Sequence, residues 1–130
     1  MKEIVNKRRY VRFQVSPDSV YAVFRRHWSR SSIMGSIVDI SLGGLSFRYI
    51  AREKCSFRSS HMGILLTNGS FCLGFNKVLI KTILDFEIDG ETSVGLETRQ
   101  CSMQFGDLTD NQKSDLRYFI QTYTTADPEA

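Results

Sequence analysis

The chain has 130 residues, of which 42% are hydrophobic and 24% charged, and a formal net charge of +3. That is the length of one ordinary domain and the composition of a folded globular protein, which excludes both a second core and a disordered chain. No apolar run approaches the roughly 18 residues that span a bilayer, and the N-terminus has no apolar core like that of a signal peptide, so a cytoplasmic protein without a membrane span is expected. Cys55, Cys72 and Cys101 are odd in number and lack a C-x-x-C spacing, which argues against a disulfide framework or a zinc knuckle. His27 and His61 lie in separate segments with no H-x-x-x-H and no paired acidic motif, so neither a metal site nor a catalytic residue is expected.

The charge is unevenly placed. Residues 1–60 carry 12 positive and 4 negative side chains, whereas residues 61–130 carry 5 and 10. The first half therefore favours an anionic partner: a nucleotide, a nucleic acid or an acidic protein face.

In chain order, residues 1–14 lack clean periodicity and read as a flexible arm with at most a short strand, followed by the turn Ser16-Pro17-Asp18-Ser19. Strand-like segments follow at 20–28, 33–40, 45–50, 62–66, 71–75, 78–88 and 92–98. Cys72 sits in the apolar segment 71–75 and is expected to be buried. In the segment 78–88 the even positions Val78, Ile80, Leu84, Phe86 and Ile88 are apolar, a period of two that predicts one core-facing side. Asn68-Gly69 and Asp89-Gly90 predict hairpins with type I′ turns. Leu116, Phe119, Ile120 and Tyr123 fall at i, i+3, i+4 and i+7 behind a T-x-x-Q capping box at Thr109–Gln112, which predicts one C-terminal helix packed on the strands. The expected organisation is an arm (1–14), a small antiparallel β-barrel with its helix (15–124) and a frayed tail (125–130); closure would remove exposed strand edges.

Two patterns carry candidate chemistry. Asp39-Ile40-Ser41-Leu42-Gly43-Gly44 lies where one strand reverses into the next. With Val38 and Ile40 facing the core, Asp39 and Ser41 would share the opposite face, beside glycines free to adopt positive φ. An Asp carboxylate accepts two adjacent donors, as guanine N1 and N2 offer, and a Ser hydroxyl donates or accepts beside it; the competing reading is an Asx-turn in which Asp39 satisfies nearby amides. The second pattern is Arg8-Arg9-Tyr10-Val11-Arg12, an R-x-x-x-R preceded by Lys7. Guanidinium groups reach phosphates, pair with guanine O6 and N7, or stack on purines. The same spacing recurs at Arg26 with Arg30 and at Arg48 with Arg52, so it selects nothing alone.

Together, in this order, the patterns resemble the PilZ family, in which R-x-x-x-R precedes the first barrel strand, D-x-S-x-x-G closes the second and a helix follows the last. The resemblance covers about residues 7–123 through R-R-Y-V-R-F at Arg8–Phe13, D-I-S-L-G-G at Asp39–Gly44, Val94-Gly95-Leu96 and the terminal helix. It implies a mostly β fold, a six-stranded antiparallel barrel of split-barrel type with a C-terminal helix, binding the bacterial second messenger cyclic di-GMP without enzyme activity. The implied ligand residues are Arg8 and Arg12 on guanine and phosphate, and Asp39, Ser41 and Gly44 opposite them, with Lys7, Arg9 and Gly43 as accessories. Lys7 beside the arginines would favour two stacked ligand molecules over one. Glu97 and Thr98 depart from the family, which usually places an aromatic residue three positions after the glycine.

Three readings compete: a ligand receptor signalling through an unidentified protein partner, a nucleotide-independent protein adaptor, and a small basic barrel for single-stranded nucleic acid. The intact motifs favour the first, because their basic residues cluster on an arm and one turn instead of spreading with aromatics across strands.

Overall fold

A computed structural model describes residues 11–16, 18–26, 32–51, 59–88 and 96–124. Its elements are β1 (Phe13–Gln14), β2 (Tyr21–Arg26), β3 (Ser32–Ser41), β4 (Gly44–Ala51), β5 (Ser59–Thr67), β6 (Cys72–Glu87), β7 (Glu97–Phe105) and α1 (Asp110–Tyr123). All strand pairs are antiparallel, and six strands close in the order β3-β2-β5-β6-β7-β4 through a β3–β4 pairing, with β1 outside on the edge of β3. Strand β2 covers β3 at Ser32–Ser36 and β1 covers it at Asp39–Ile40, so the end of the N-terminal arm docks where β2 leaves off.

Inside, Phe24, Phe47 and Tyr49 stack in sequence with ring centroids 4.8 and 5.3 Å apart, surrounded by Ile37, Ile40, Leu45, Leu66, Ile80 and Met103. The helix begins with the expected box: Gln112 N donates to Thr109 Oγ1 and Thr109 N donates to Gln112 Oε1. Leu116, Phe119 and Ile120 are buried on its inner face, and Phe71 packs on Phe119 and Tyr123.

Several expectations need correction. The segments expected at 71–75 and 78–88 form one 16-residue strand, β6. Its period of two does not persist: a bulge between Thr82 and Leu84 inserts one residue against β7 and reverses the facing. Val78 and Ile80 are buried, but Leu84 is 53% and Phe86 40% exposed, while Asp85 turns inward. The last strand runs from Glu97 to Phe105 instead of 92–98, with Cys101, Met103 and Phe105 facing the core; residues 92–95 lie outside the described residues. A second bulge, between Ile37 and Asp39, makes Ile37 and Ile40 the core residues and leaves Val38 half-buried on the outside. In the β5–β6 hairpin the left-handed residue is Gly69 (φ 97°), while Asn68 Oδ1 accepts from Ser70 N and Phe71 N. Glycine therefore takes the first central position and Asn68 holds the turn by its side chain, unlike the expected type I′ pair. Cys72 is exposed, not buried. The expected Asp89-Gly90 turn lies outside the described residues.

Candidate functional site

The β3–β4 hairpin gathers the site. Arg12, just before β1, sends Nη1 to Asp39 Oδ1 at 2.8 Å, and their side chains retain 24% and 15% exposure. This ion pair joins residues 27 apart in sequence, because β1 lies on β3 with Gln14 opposite Asp39. The same nitrogen lies 3.2 Å from Ser46 Oγ, which is 2.8 Å from Ser102 Oγ. Asp39, Ser46 and Ser102 form one row across β3, β4 and β7. The bulge at Val38 sets this row's phase, since without it Asp39 would change face.

Ser41 has a different place. It is 4% exposed, and its hydroxyl accepts from Gly43 N at 3.0 Å and reaches Gly44 O at 3.4 Å. The serine thus closes the hairpin from within. Asp39, for which an Asx-turn was the competing reading, faces Arg12 instead. Among the described glycines the left-handed conformation is recorded at Gly69, not at Gly43 or Gly44. Gly44 is required by contact: a Cβ there would lie 2.1 Å from the Met103 carbonyl oxygen and 3.1 Å from Gln104 Cα. Strand β7 passes so close because Phe105 N donates to Gly43 O at 2.8 Å. Gly44→Ala is accordingly expected to destabilise by about 2 kcal/mol or more, as overpacking against backbone does; urea unfolding measures it, and a wild-type midpoint would contradict it.

A groove of about 620 Å³ runs over β3 and β4, lined by Gln14, Ser36, Val38, Arg48, Ile50 and Thr98 among others; it takes in Gln14 and Val38, the neighbours of Asp39, but neither Asp39 nor Arg12. Its size suits a small ligand. Lys7, Arg8 and Arg9 lie outside the described residues, as do Arg30 and Arg52 of the alternative pairs; Arg48 lines the groove and its Nε donates to Gln100 Oε1.

The sequence reading missed a buried ionic cluster at the inner end of β6 and β7. Asp85, whose side chain is 1% exposed, accepts from Tyr49 Oη at 2.6 Å and from Arg99 Nε at 2.8 Å. Arg99 also donates to Glu97 Oε1 and to the Asp85 carbonyl. The hydrogen bond to Asp85 raises the Arg99 pKa against the opposing effect of burial. Glu97, an acid where the resemblance led to no such residue, is thus a partner of Arg99. Only the bulge of β6 reveals the cluster, by turning Asp85 inward.

Among the described residues no group of His, Cys, Asp or Glu could hold a metal ion, and no helix is long and apolar enough to cross a membrane. Neither a family model nor a curated protein matches the chain. Among solved structures it superposes on the PilZ domain of YcgR with c-di-GMP from Escherichia coli, with a TM-score of 0.69 and 16% identity over 91% of this chain and 92% of that one. The MrkH–c-di-GMP complex of K. pneumonia follows at 0.64 and 20% identity, over 91% of this chain and 52% of that one. The inhibitor of motility MotI/DgrA of Bacillus subtilis superposes at 0.60 and 12% identity, over 92% and 51%. The chain spans about half the length of these last two proteins. The closed six-stranded barrel, the outer β1 strand, the C-terminal helix and these superpositions together show that the chain has the PilZ-domain fold.

Proposed function

We propose that this protein is a receptor for cyclic di-GMP that signals through a protein partner. The observation that carries the reading is the meeting of Arg12 with Asp39 on the outer face of the β3–β4 hairpin. Two solved structures of the same fold contain c-di-GMP, which supports the choice of ligand. Asp39 offers two acceptor oxygens to guanine N1–H and N2–H, and Arg12, with Arg8 ahead of it, offers donors to phosphate. In the free protein Arg12 and Asp39 neutralise each other. A ligand with two guanines and two phosphates satisfies both at once, whereas a mononucleotide meets part of the set. Gly44 brings the hairpin backbone close to β7, and Ser41 shapes that hairpin, so both serve the site as parts of its wall. Lys7 and Arg9 are accessory donors, Gly43 is an accessory contact at the hairpin, and Lys7 favours a second stacked ligand.

The test is calorimetry. Cyclic di-GMP should bind at low micromolar affinity or tighter, with GMP and a short oligonucleotide far weaker; equal affinity for the oligonucleotide would overturn the reading in favour of a nucleic-acid barrel. A nucleotide-independent adaptor is the second reading, favoured by the exposed Ile83, Leu84 and Phe86 at the end of β6.

Signalling is assigned to the arm. Phe13 and Gln14 already pair with β3, which supports a change on binding ahead of them, in which the ligand's phosphates draw Lys7, Arg8 and Arg9 onto the barrel and create a surface for the partner. Amides of residues 4–10 should gain hydrogen-exchange protection with ligand while those of 78–88 change little. Equal protection of residues 4–10 in both states would rule this out.

A further inference from the structure

Arg12 has a second anchor on the same nitrogen. Its Nη1 lies 2.8 Å from Asp39 Oδ1 and 3.2 Å from Ser46 Oγ. A guanidinium only donates, so the serine oxygen accepts. Ser46 is 2% exposed, and its oxygen lies 2.8 Å from that of Ser102, so each hydroxyl limits the other's rotation. Strand register fixes both, with Ser46 opposite Asp39 on one side and Ser102 on the other. Serines facing the outside of a sheet ordinarily bond water; here one is covered and aimed at an arginine.

We propose that Ser46, backed by Ser102, is a positioning residue that keeps Arg12 seated on the barrel when a ligand takes Asp39. The inference rests on the reading of Arg12 and Asp39 as ligand-binding residues. As long as Arg12 holds Asp39, that carboxylate is engaged. Once guanine N–H groups claim it, Arg12 loses its ionic partner but not its hydroxyl acceptor. The guanidinium then stays at the sheet surface and turns its remaining N–H groups to phosphate. Without Ser46 the released side chain would regain its rotamer freedom in solvent, and that entropy would oppose binding.

A double-mutant cycle tests this, with cyclic di-GMP affinity measured for wild type, Ser46→Ala, Arg12→Ala and the double variant. Ser46→Ala should weaken binding roughly fivefold when Arg12 is present, about the net contribution of one ordinary hydrogen bond, and cause no further loss once Arg12 is gone. Ser102→Ala should show a smaller effect with the same dependence on Arg12. An unchanged affinity for Ser46→Ala, or equal weakening with and without Arg12, would overturn the proposal, since a general packing defect adds independently. A second measurement needs no ligand: ¹⁵N relaxation of the Arg12 guanidinium should show it restricted in wild type and faster in Ser46→Ala. Absence of cyclic di-GMP binding by wild type would sink the functional reading, while the relaxation contrast would still decide whether Ser46 holds Arg12.

Discussion

Asp85→Ala is expected to lower the unfolding free energy by about 3 kcal/mol or more, the range found when one partner of a buried ion pair is removed. The side chain of Asp85 is 1% exposed and that of Arg99 11%, so the guanidinium left behind cannot simply hydrate in place. Glu97 would remain as its only described carboxylate, on the more exposed side of the cluster at 31%. The phenol of Tyr49 would lose its 2.6 Å contact as well, at the edge of the Phe24–Phe47–Tyr49 stack. Asp85→Asn keeps the shape and one acceptor but not the charge, and should cost less than alanine. The loss measures the stranding of Arg99 and not the net worth of the pair; a double replacement of Asp85 and Arg99 by apolar residues of similar volume should recover much of it. Urea unfolding of the three variants is the check. An Asp85→Ala protein within about 1 kcal/mol of wild type would show that the cluster is solvated and contributes no such constraint.

The second large effect falls on binding and spares the fold. Arg12→Ala should weaken cyclic di-GMP binding at least roughly tenfold, since hydrogen bonds to charged groups contribute about 1.5 to 3 kcal/mol. Arg8→Ala should do likewise. Asp39→Ala should match them, because it removes the guanine acceptor even though it frees Arg12. Thermal stability should hardly change in any of these, as the Arg12–Asp39 pair is partly exposed and such solvent-screened pairs contribute about 0 to 1 kcal/mol. The contrast with Asp85 follows from burial: two carboxylate–guanidinium pairs of equal 2.8 Å length have opposite consequences. If Arg8→Ala and Arg12→Ala both bind as wild type does, the arm is not the ligand segment, and Arg48 in the groove becomes the candidate.

The elements most readily read from sequence were those whose local and tertiary signals agree. The helix combines a capping box with an apolar stripe at i, i+3, i+4 and i+7, and both persist in the structure. The strands of the barrel were legible from alternation until a single residue was inserted. At Val38 and again at Ile83 a bulge shifts the phase, and no local composition marks either position. One of these shifts leaves Leu84 and Phe86 outside and Asp85 inside. Strand β7 escaped because its core residues past Arg99 are Cys101, Met103 and Phe105 among Ser102 and Gln104, an alternation with weaker β propensity than a Val- or Ile-rich run. Arg12 and Asp39 could be chosen by residue type and order, but their contact depends on β1 lying along β3. Ser46 and Ser102 carry no signal of their own, and only the register across β3, β4 and β7 singles them out.

The central claim is that cyclic di-GMP binds where Arg12 meets Asp39, and an amide-resolved NMR titration tests it most directly. Addition of the ligand should shift the amides of Arg12, Asp39–Gly44, Ser46 and Ser102 together, in one saturable process, with those of Leu116–Ile120 nearly still and the shifts lost in Asp39→Ala. Shifts centred instead on Ile83–Phe86, or unchanged by Asp39→Ala, would contradict the account.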